Sequence, residues 1–176
     1  TWWYQGGSRP EGFYKEIYGD ADVMRALQTG RVETSDKEGH PIINIEKTRV
    51  DEQGRRTRAF ADVFRRIVIC SGPRDAINVY FHSDAHVVFP HSESVEISSG
   101  TIRRLLDISM EVLVLYDIDS TGIRAMNRLA LKHVELKVLY LPEDLSTQYN
   151  PRSGKTCKDA EEFFNFYPAV MRRNEK

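Results

Sequence analysis

Two aspartates one residue apart, Asp117 and Asp119, follow the apolar run Val112-Leu113-Val114-Leu115-Tyr116 and precede Ser120-Thr121-Gly122. In extended chain, residues i and i+2 project to the same side. The two carboxylates can therefore offer hard oxygen donors to one divalent cation, or to two neighbouring ones, with further positions left open for phosphate oxygens. Ligands of α/β sheets gather beyond the carboxyl ends of the strands, which is where this pair falls. Gly122 and the helix N-terminus behind it add backbone N–H groups suited to an anion. The competing assignment for either acid is a plain helix N-cap.

Elements that would position such a pair are legible from Ile67 onward, where short apolar runs alternate with amphipathic stretches in the manner of βαβ units. Ile67-Val68-Ile69-Cys70 reads as a strand, followed by a helix over Arg74 to His82. Val87-Val88-Phe89 is a second strand, and Ser98-Ser99 caps a helix carrying Ile102, Leu105, Leu106 and Ile108 at helical spacing. The unbroken apolarity of residues 112–116 suits a strand covered on both faces. Thr121 to His133 is a helix with Ile123, Met126, Ala130 and Val134 on a core side and Arg124, Arg128 and Lys132 on a basic side. Val138 to Leu141 is a fourth strand, residues 143–156 are a mobile polar loop, and Lys158 to Phe166 is a last helix. The expected fold is α/β, a four-stranded, mainly parallel sheet with helices on both faces over residues 67–167. Residues 1–66 have a different texture. A helix from Asp20 to Gln28 stopped by Gly30, and strands at Ile42 to Ile45 and Thr48 to Arg58 around the turn Asp51-Glu52-Gln53-Gly54, suggest a small α+β lobe. Residues 168–176 form a polar tail.

Bulk properties narrow the function. A length of 176 residues with 40% hydrophobic content supports one full core, with or without a small lobe. A net charge of −1 argues against a protein that coats nucleic acid electrostatically, so any such contact must be local. Cys70 and Cys157 have neither the number nor the spacing of a disulfide framework or zinc ribbon. With no long apolar run and no signal-peptide layout, a soluble, cytoplasmic protein without membrane contact is expected.

Three sequence elements fall into a familiar order. Ile69-Cys70-Ser71-Gly72-Pro73-Arg74-Asp75 is a strand end with Gly72 followed three residues later by Asp75; Asp117 to Leu129 is a strand end with Asp-x-Asp, Gly122 and a helix rich in Ala and basic residues; Lys158-Asp159-Ala160-Glu161 is a Lys-Asp-Ala element. Gly100-Thr101 echoes a Gly-Thr before the middle helix. Together these resemble the Toprim domain, of the primase and primase-helicase type found in phage and mobile-element replication proteins, over about residues 67–166. One departure stands out, because the family carries a glutamate where this chain has Ser71. A serine hydroxyl stays protonated at neutral pH and offers a cation no charge. Either Asp75 or Glu93 substitutes for it, or catalysis is weakened or lost.

The resemblance implies Mg²⁺ or Mn²⁺ on Asp117 and Asp119, Asp75 as a further catalytic acid, and nucleotidyl transfer in DNA replication. Its partners would be a single-stranded DNA template, nucleoside triphosphates, and zinc-binding or helicase domains of a longer protein. Gly72 and Gly122 are candidate phosphate-binding positions, and the basic side chains nearby, Arg74, Arg124, Arg128 and Lys158, can contact phosphate or simply face solvent. The alternatives are a degenerate Toprim scaffold that binds metal and nucleic acid without catalysis, a Toprim nuclease, or an unrelated Rossmann-like domain. Ser153-Gly154-Lys155-Thr156 lacks the upstream glycine of a P-loop. His82, His86 and His91 are spaced poorly for a shared metal, and Trp2, Trp3 and Tyr4 are read as core aromatics.

Overall fold

The computed structural model describes residues 17–32, 42–50, 53–90 and 95–167. Within them a six-stranded sheet forms from β1 (Ile17–Gly19), β2 (Ile42–Val50), β3 (Arg56–Cys70), β4 (His86–Pro90), β5 (Ser109–Leu115) and β6 (Lys137–Val138). Five α-helices accompany it: α1 (Ala21–Thr29), α2 (Pro73–His82), α3 (Ser99–Asp107), α4 (Ser120–Lys132) and α5 (Ala160–Phe166).

Four strands, in the order β4-β3-β5-β6, run parallel and make the expected parallel core. Over residues 67–70, 87–89 and 112–115 the side chains are apolar on both faces because helices cover both. Val112 and Val114 of β5 join Ile102 and Leu105 of α3, Met126 of α4 and Val23 of α1 in one cluster. Leu113 and Leu115 point the other way, into a cluster with Ala76 and Val79 of α2 and Phe164 of α5. This alternation within a wholly apolar strand is the signature of a sheet buried on both sides. The α/β assignment therefore holds.

The N-terminal segments enlarge the same sheet. β1 pairs antiparallel with β4, and β2 pairs antiparallel with β3 from Ile42↔Phe64 to Val50↔Arg56. β3 continues through position 66, where a lobe boundary was expected, so one strand spans both regions. Because β5 takes one edge of β3 from Phe64 to Cys70, β2 and β4 occupy the other edge in turn. Helix α1 begins at its N-cap Asp20 and ends at Gly30, whose left-handed φ of 69° suits glycine. Asp20 does more than cap: one carboxylate oxygen accepts from Asp22 N–H at 2.8 Å and the other meets His86 Nδ1 at 3.0 Å, which fastens α1 to the start of β4.

Three expectations shift. Val134 is 83% exposed, because α4 ends at Lys132 with His133 as its cap; Leu129 takes the core position instead. The fourth strand pairs only over Lys137–Val138, and the chain then crosses to bury Leu141 among the residues beneath α2 and α5. The segment expected as a mobile loop carries a 3-10 turn, Glu143–Thr147, and an antiparallel bridge between Tyr149 and Thr156. Asn150 and Lys155 close that bridge with a 2.8 Å backbone bond, and Cys157 N–H donates to Gln148 C=O at 2.9 Å. Trp2, Trp3, Tyr4, Asp51, Glu52, His91, Glu93 and the 168–176 tail lie outside the described residues.

Candidate metal centre

The carboxyl ends of β3 and β5 lie side by side, since Cys70 pairs with Leu115. Whatever follows each strand is therefore brought together: Ser71 and α2 after β3, Asp117 to Asp119 and α4 after β5. The turn over residues 149–156 then delivers Lys158 and Asp159 to the same place. Ile118 N–H donates to Lys158 C=O at 2.9 Å, a backbone bond that sets the Lys-Asp segment against the Asp-x-Asp loop.

Asp117 and Asp119 converge as their spacing predicts. Oδ2 of Asp117 lies 2.8 Å from Lys158 Nζ and Oδ2 of Asp119 lies 2.7 Å from the same atom. Both carboxylates are thus aimed at one point of positive charge. The two assignments weighed for Asp119 turn out to be compatible, because its oxygens divide the work. While Oδ2 faces Lys158, Oδ1 caps α4 by accepting from Thr121 N–H at 3.0 Å and Gly122 N–H at 2.9 Å. Lys158 and these two amides pull the Asp119 carboxyl below its usual pKa, Lys158 most strongly. Reciprocally, the hydrogen bonds to Asp117 and Asp119 raise the Lys158 pKa and keep it an ammonium.

Gly122 has a steric reason to be glycine. A Cβ there would stand 2.3 Å from the Asp117 carbonyl oxygen and 2.9 Å from its carbonyl carbon and nitrogen, so the helix meets the loop backbone to backbone. Gly72, the N-cap of α2, has extended backbone and nothing within 4 Å of the corresponding position.

Asp75 comes to the same end of the sheet but is held differently. Its Oδ2 accepts from Ser71 Oγ–H and its Oδ1 from Glu161 N–H at 3.2 Å. Burial pushes its carboxyl pKa up, the charge of Asp117 pushes it further, and the bonds from Ser71 and the Glu161 and Ala160 amides pull it back. Ser71 therefore serves as a donor that steadies Asp75, not as a metal ligand. Among the described residues, Asp75, Asp117 and Asp119 do not bring three ligand atoms within 4.8 Å of one another. The trio that does is Asp20, Asp22 and His86, at the start of β4. The Asp20-Ala21-Asp22 spacing is local, but its meeting with His86 is not, because His86 is distant in sequence.

Asp159, of the Lys-Asp-Ala element, joins the cluster without having been a candidate site residue. It caps α5 by accepting from Glu162 N–H at 2.8 Å, and Glu162 Oε2 accepts from Lys158 N–H at 2.7 Å, a variant of the reciprocal capping box. The Asp-x-x-Glu spacing was the available signal. Burial, together with the charges of Asp75, Glu162 and Asp117, raises its pKa to about 6 against the opposing pull of the Glu162 amide.

The basic candidates separate by position. Arg74 is 79% exposed and ion-pairs with Glu161 Oε2 at 3.3 Å, linking α2 to α5. Arg124 and Arg128 lie exposed along α4 beyond its first turn. Six acids, Asp75, Asp117, Asp119, Asp159, Glu161 and Glu162, thus surround two cations, Lys158 and Arg74. Phosphate would be repelled from so acidic a centre without a multivalent cation to bridge it.

The donor chemistry fits such a cation. Two carboxylate oxygens already share one positively charged neighbour at 2.8 Å or less, and closing to the roughly 2.0–2.6 Å of Mg²⁺ or Ca²⁺ coordination needs only a small inward movement. Oxygen donors without thiolate or imidazole suit hard ions, Mg²⁺ or Mn²⁺. No helix among the described residues is long and apolar enough to cross a membrane.

No protein-family model matches the chain and no curated protein matches it. Among solved structures it is similar to the primase fragment of the bacteriophage T7 primase-helicase protein, at 19% identity and a TM-score of 0.46, over 93% of this chain and 78% of that one. It is also similar to a chain in the structure of bacteriophage T7 lagging-strand DNA polymerase interacting with primase domains of two gp4 subunits bound to an RNA/DNA hybrid and dTTP. That match has 16% identity and a TM-score of 0.41, over 76% of this chain and 74% of that one.

Proposed function

We propose that this chain is a primase-like Toprim module that holds Mg²⁺ or Mn²⁺ between Asp117 and Asp119 and brings nucleotide and nucleic-acid phosphates to it for nucleotidyl transfer in DNA replication. The observation that supports this most is the convergence of Asp117 Oδ2 and Asp119 Oδ2 on a single cationic point at the carboxyl ends of the parallel strands. A bound divalent ion would supply charge stabilisation for the transferring phosphoryl group and its leaving oxygen. Asp117 and Asp119 would hold the ion, with Asp119 fixed by the start of α4. Arg124 and Arg128 offer exposed charge to a template strand, and Arg74 can do so by leaving Glu161. Single-stranded DNA, nucleoside triphosphates and further replication domains are the partners this reading requires.

A second reading, a degenerate scaffold that binds metal and nucleic acid without catalysis, is favoured by one observation. Ser71 spends its hydroxyl on Asp75, and Asp75 is buried, so neither is placed as a ready general base. Primer synthesis on single-stranded templates with Mg²⁺ and ribonucleotides separates the readings. Product that disappears in Asp117→Asn with Asp119→Asn supports the enzyme. No product from wild type, alongside Mn²⁺ binding that the same double variant loses, supports the scaffold.

A further inference from the structure

We propose that Lys158 is a tethered cation standing in the divalent-metal position, so that metal enters only by displacing its ammonium and the exchange sets the affinity of the site. The inference rests on the reading of Asp117 and Asp119 as the metal-binding pair.

The geometry separates what is fixed here from what can move. The backbone of Lys158 is clamped on both sides, its N–H donating to Glu162 Oε2 at 2.7 Å and its C=O accepting from Ile118 N–H at 2.9 Å. Asp119 is equally fixed, since Oδ1 is occupied by the Thr121 and Gly122 amides. The Lys158 side chain, by contrast, is 47% exposed and has an open path to solvent along its flexible stem. Its Nζ lies 2.8 and 2.7 Å from the two oxygens that would hold the ion. The ammonium and the ion cannot occupy one volume, and the repulsion between their like charges drives them further apart. The ammonium therefore has to swing out as the ion comes in. In return, the fold has a built-in countercharge for its paired acids when no metal is bound.

The experiment is calorimetric titration of Mn²⁺ into wild type, Lys158→Met and the double variant Asp117→Asn with Asp119→Asn. Methionine keeps the length and packing of the stem and removes the charge. Two partly exposed ion pairs are together worth about a decade in equilibrium constant, so Lys158→Met is expected to bind Mn²⁺ about tenfold more tightly than wild type. Equal or weaker binding by Lys158→Met, with binding lost in the double aspartate variant, overturns the exchange and leaves the metal reading standing. Mn²⁺ binding by the double aspartate variant equal to wild type removes both. A second readout needs no Lys158 substitution: amine acylation of the wild-type protein, followed by peptide mass spectrometry. Lys158 modification should rise severalfold on Mn²⁺ saturation, and unchanged modification at saturating metal contradicts the displacement.

Discussion

Gly122→Ala probes the join between α4 and the Asp117 loop, and the structure fixes the size of its effect. The added Cβ would lie 2.3 Å from the Asp117 carbonyl oxygen and 2.9 Å from two more backbone atoms, none of which can rotate away. The helix start must move by about 1 Å, an overpacking strain of roughly 1–3 kcal/mol. That movement stretches the Thr121 and Gly122 amide bonds to Asp119 Oδ1, now 3.0 and 2.9 Å, and a lost N-cap costs about 1 kcal/mol. Alanine recovers up to about 1 kcal/mol in helix propensity over glycine. The net loss is about 1–3 kcal/mol, or a fall in melting temperature of about 2–12 °C for a domain of this size. Gly72→Ala is the matched control: its Cβ position has nothing within 4 Å and its backbone is extended, so it should change stability by less than about 0.5 kcal/mol. Urea denaturation of both variants measures the difference. Equal effects from the two substitutions would refute the close approach on which the site geometry depends.

Asp159→Asn should reveal a pH-dependent cost. The folded-state pKa of about 6 exceeds the unfolded value, so the contribution of this carboxyl favours folding at low pH and is lost as pH rises through about 6. Asparagine still accepts from the Glu162 amide but carries no charge. After discounting for partial exposure, it should stabilise the protein by about 1 kcal/mol at pH 7.5, with the advantage gone near pH 4; a difference constant across that range contradicts the assignment. Ser71→Ala removes the donor to buried Asp75 and should cost about 2 kcal/mol in urea denaturation at pH 7. The same variant should leave Mn²⁺ affinity within about threefold of wild type, since Ser71 touches Asp75 and not the converging pair; a larger loss of affinity would place Ser71 in the metal site.

The parallel core was legible because strands buried on both faces are written as unbroken apolar runs, as in Val112 to Leu115, and because Ser98, Asp119 and Asp20 announce helix starts chemically. The full length of β3 was not. Arg56 to Ala61 has little apolar alternation, since that half of the hairpin is largely solvated, and pairing with β2 supplies the order that side-chain burial does not. Asp117 and Asp119 were found by their strand setting. Their neutralisation by Lys158 was hidden, because it depends on a turn over residues 149–156 whose polar sequence read as loop. The positive charge that faces the paired acids here is the Lys158 ammonium. Val134 shows the limit of periodicity, which continues a helical pattern past the point where the backbone stops.

The most direct test is a crystal structure grown with abundant Mn²⁺ and measured at the manganese absorption edge. An anomalous peak bonded to Asp117 Oδ2 and Asp119 Oδ2, with the Lys158 ammonium swung away, is the predicted result. Manganese found only at Asp20, Asp22 and His86, with Lys158 still bridging the two aspartates, would contradict it.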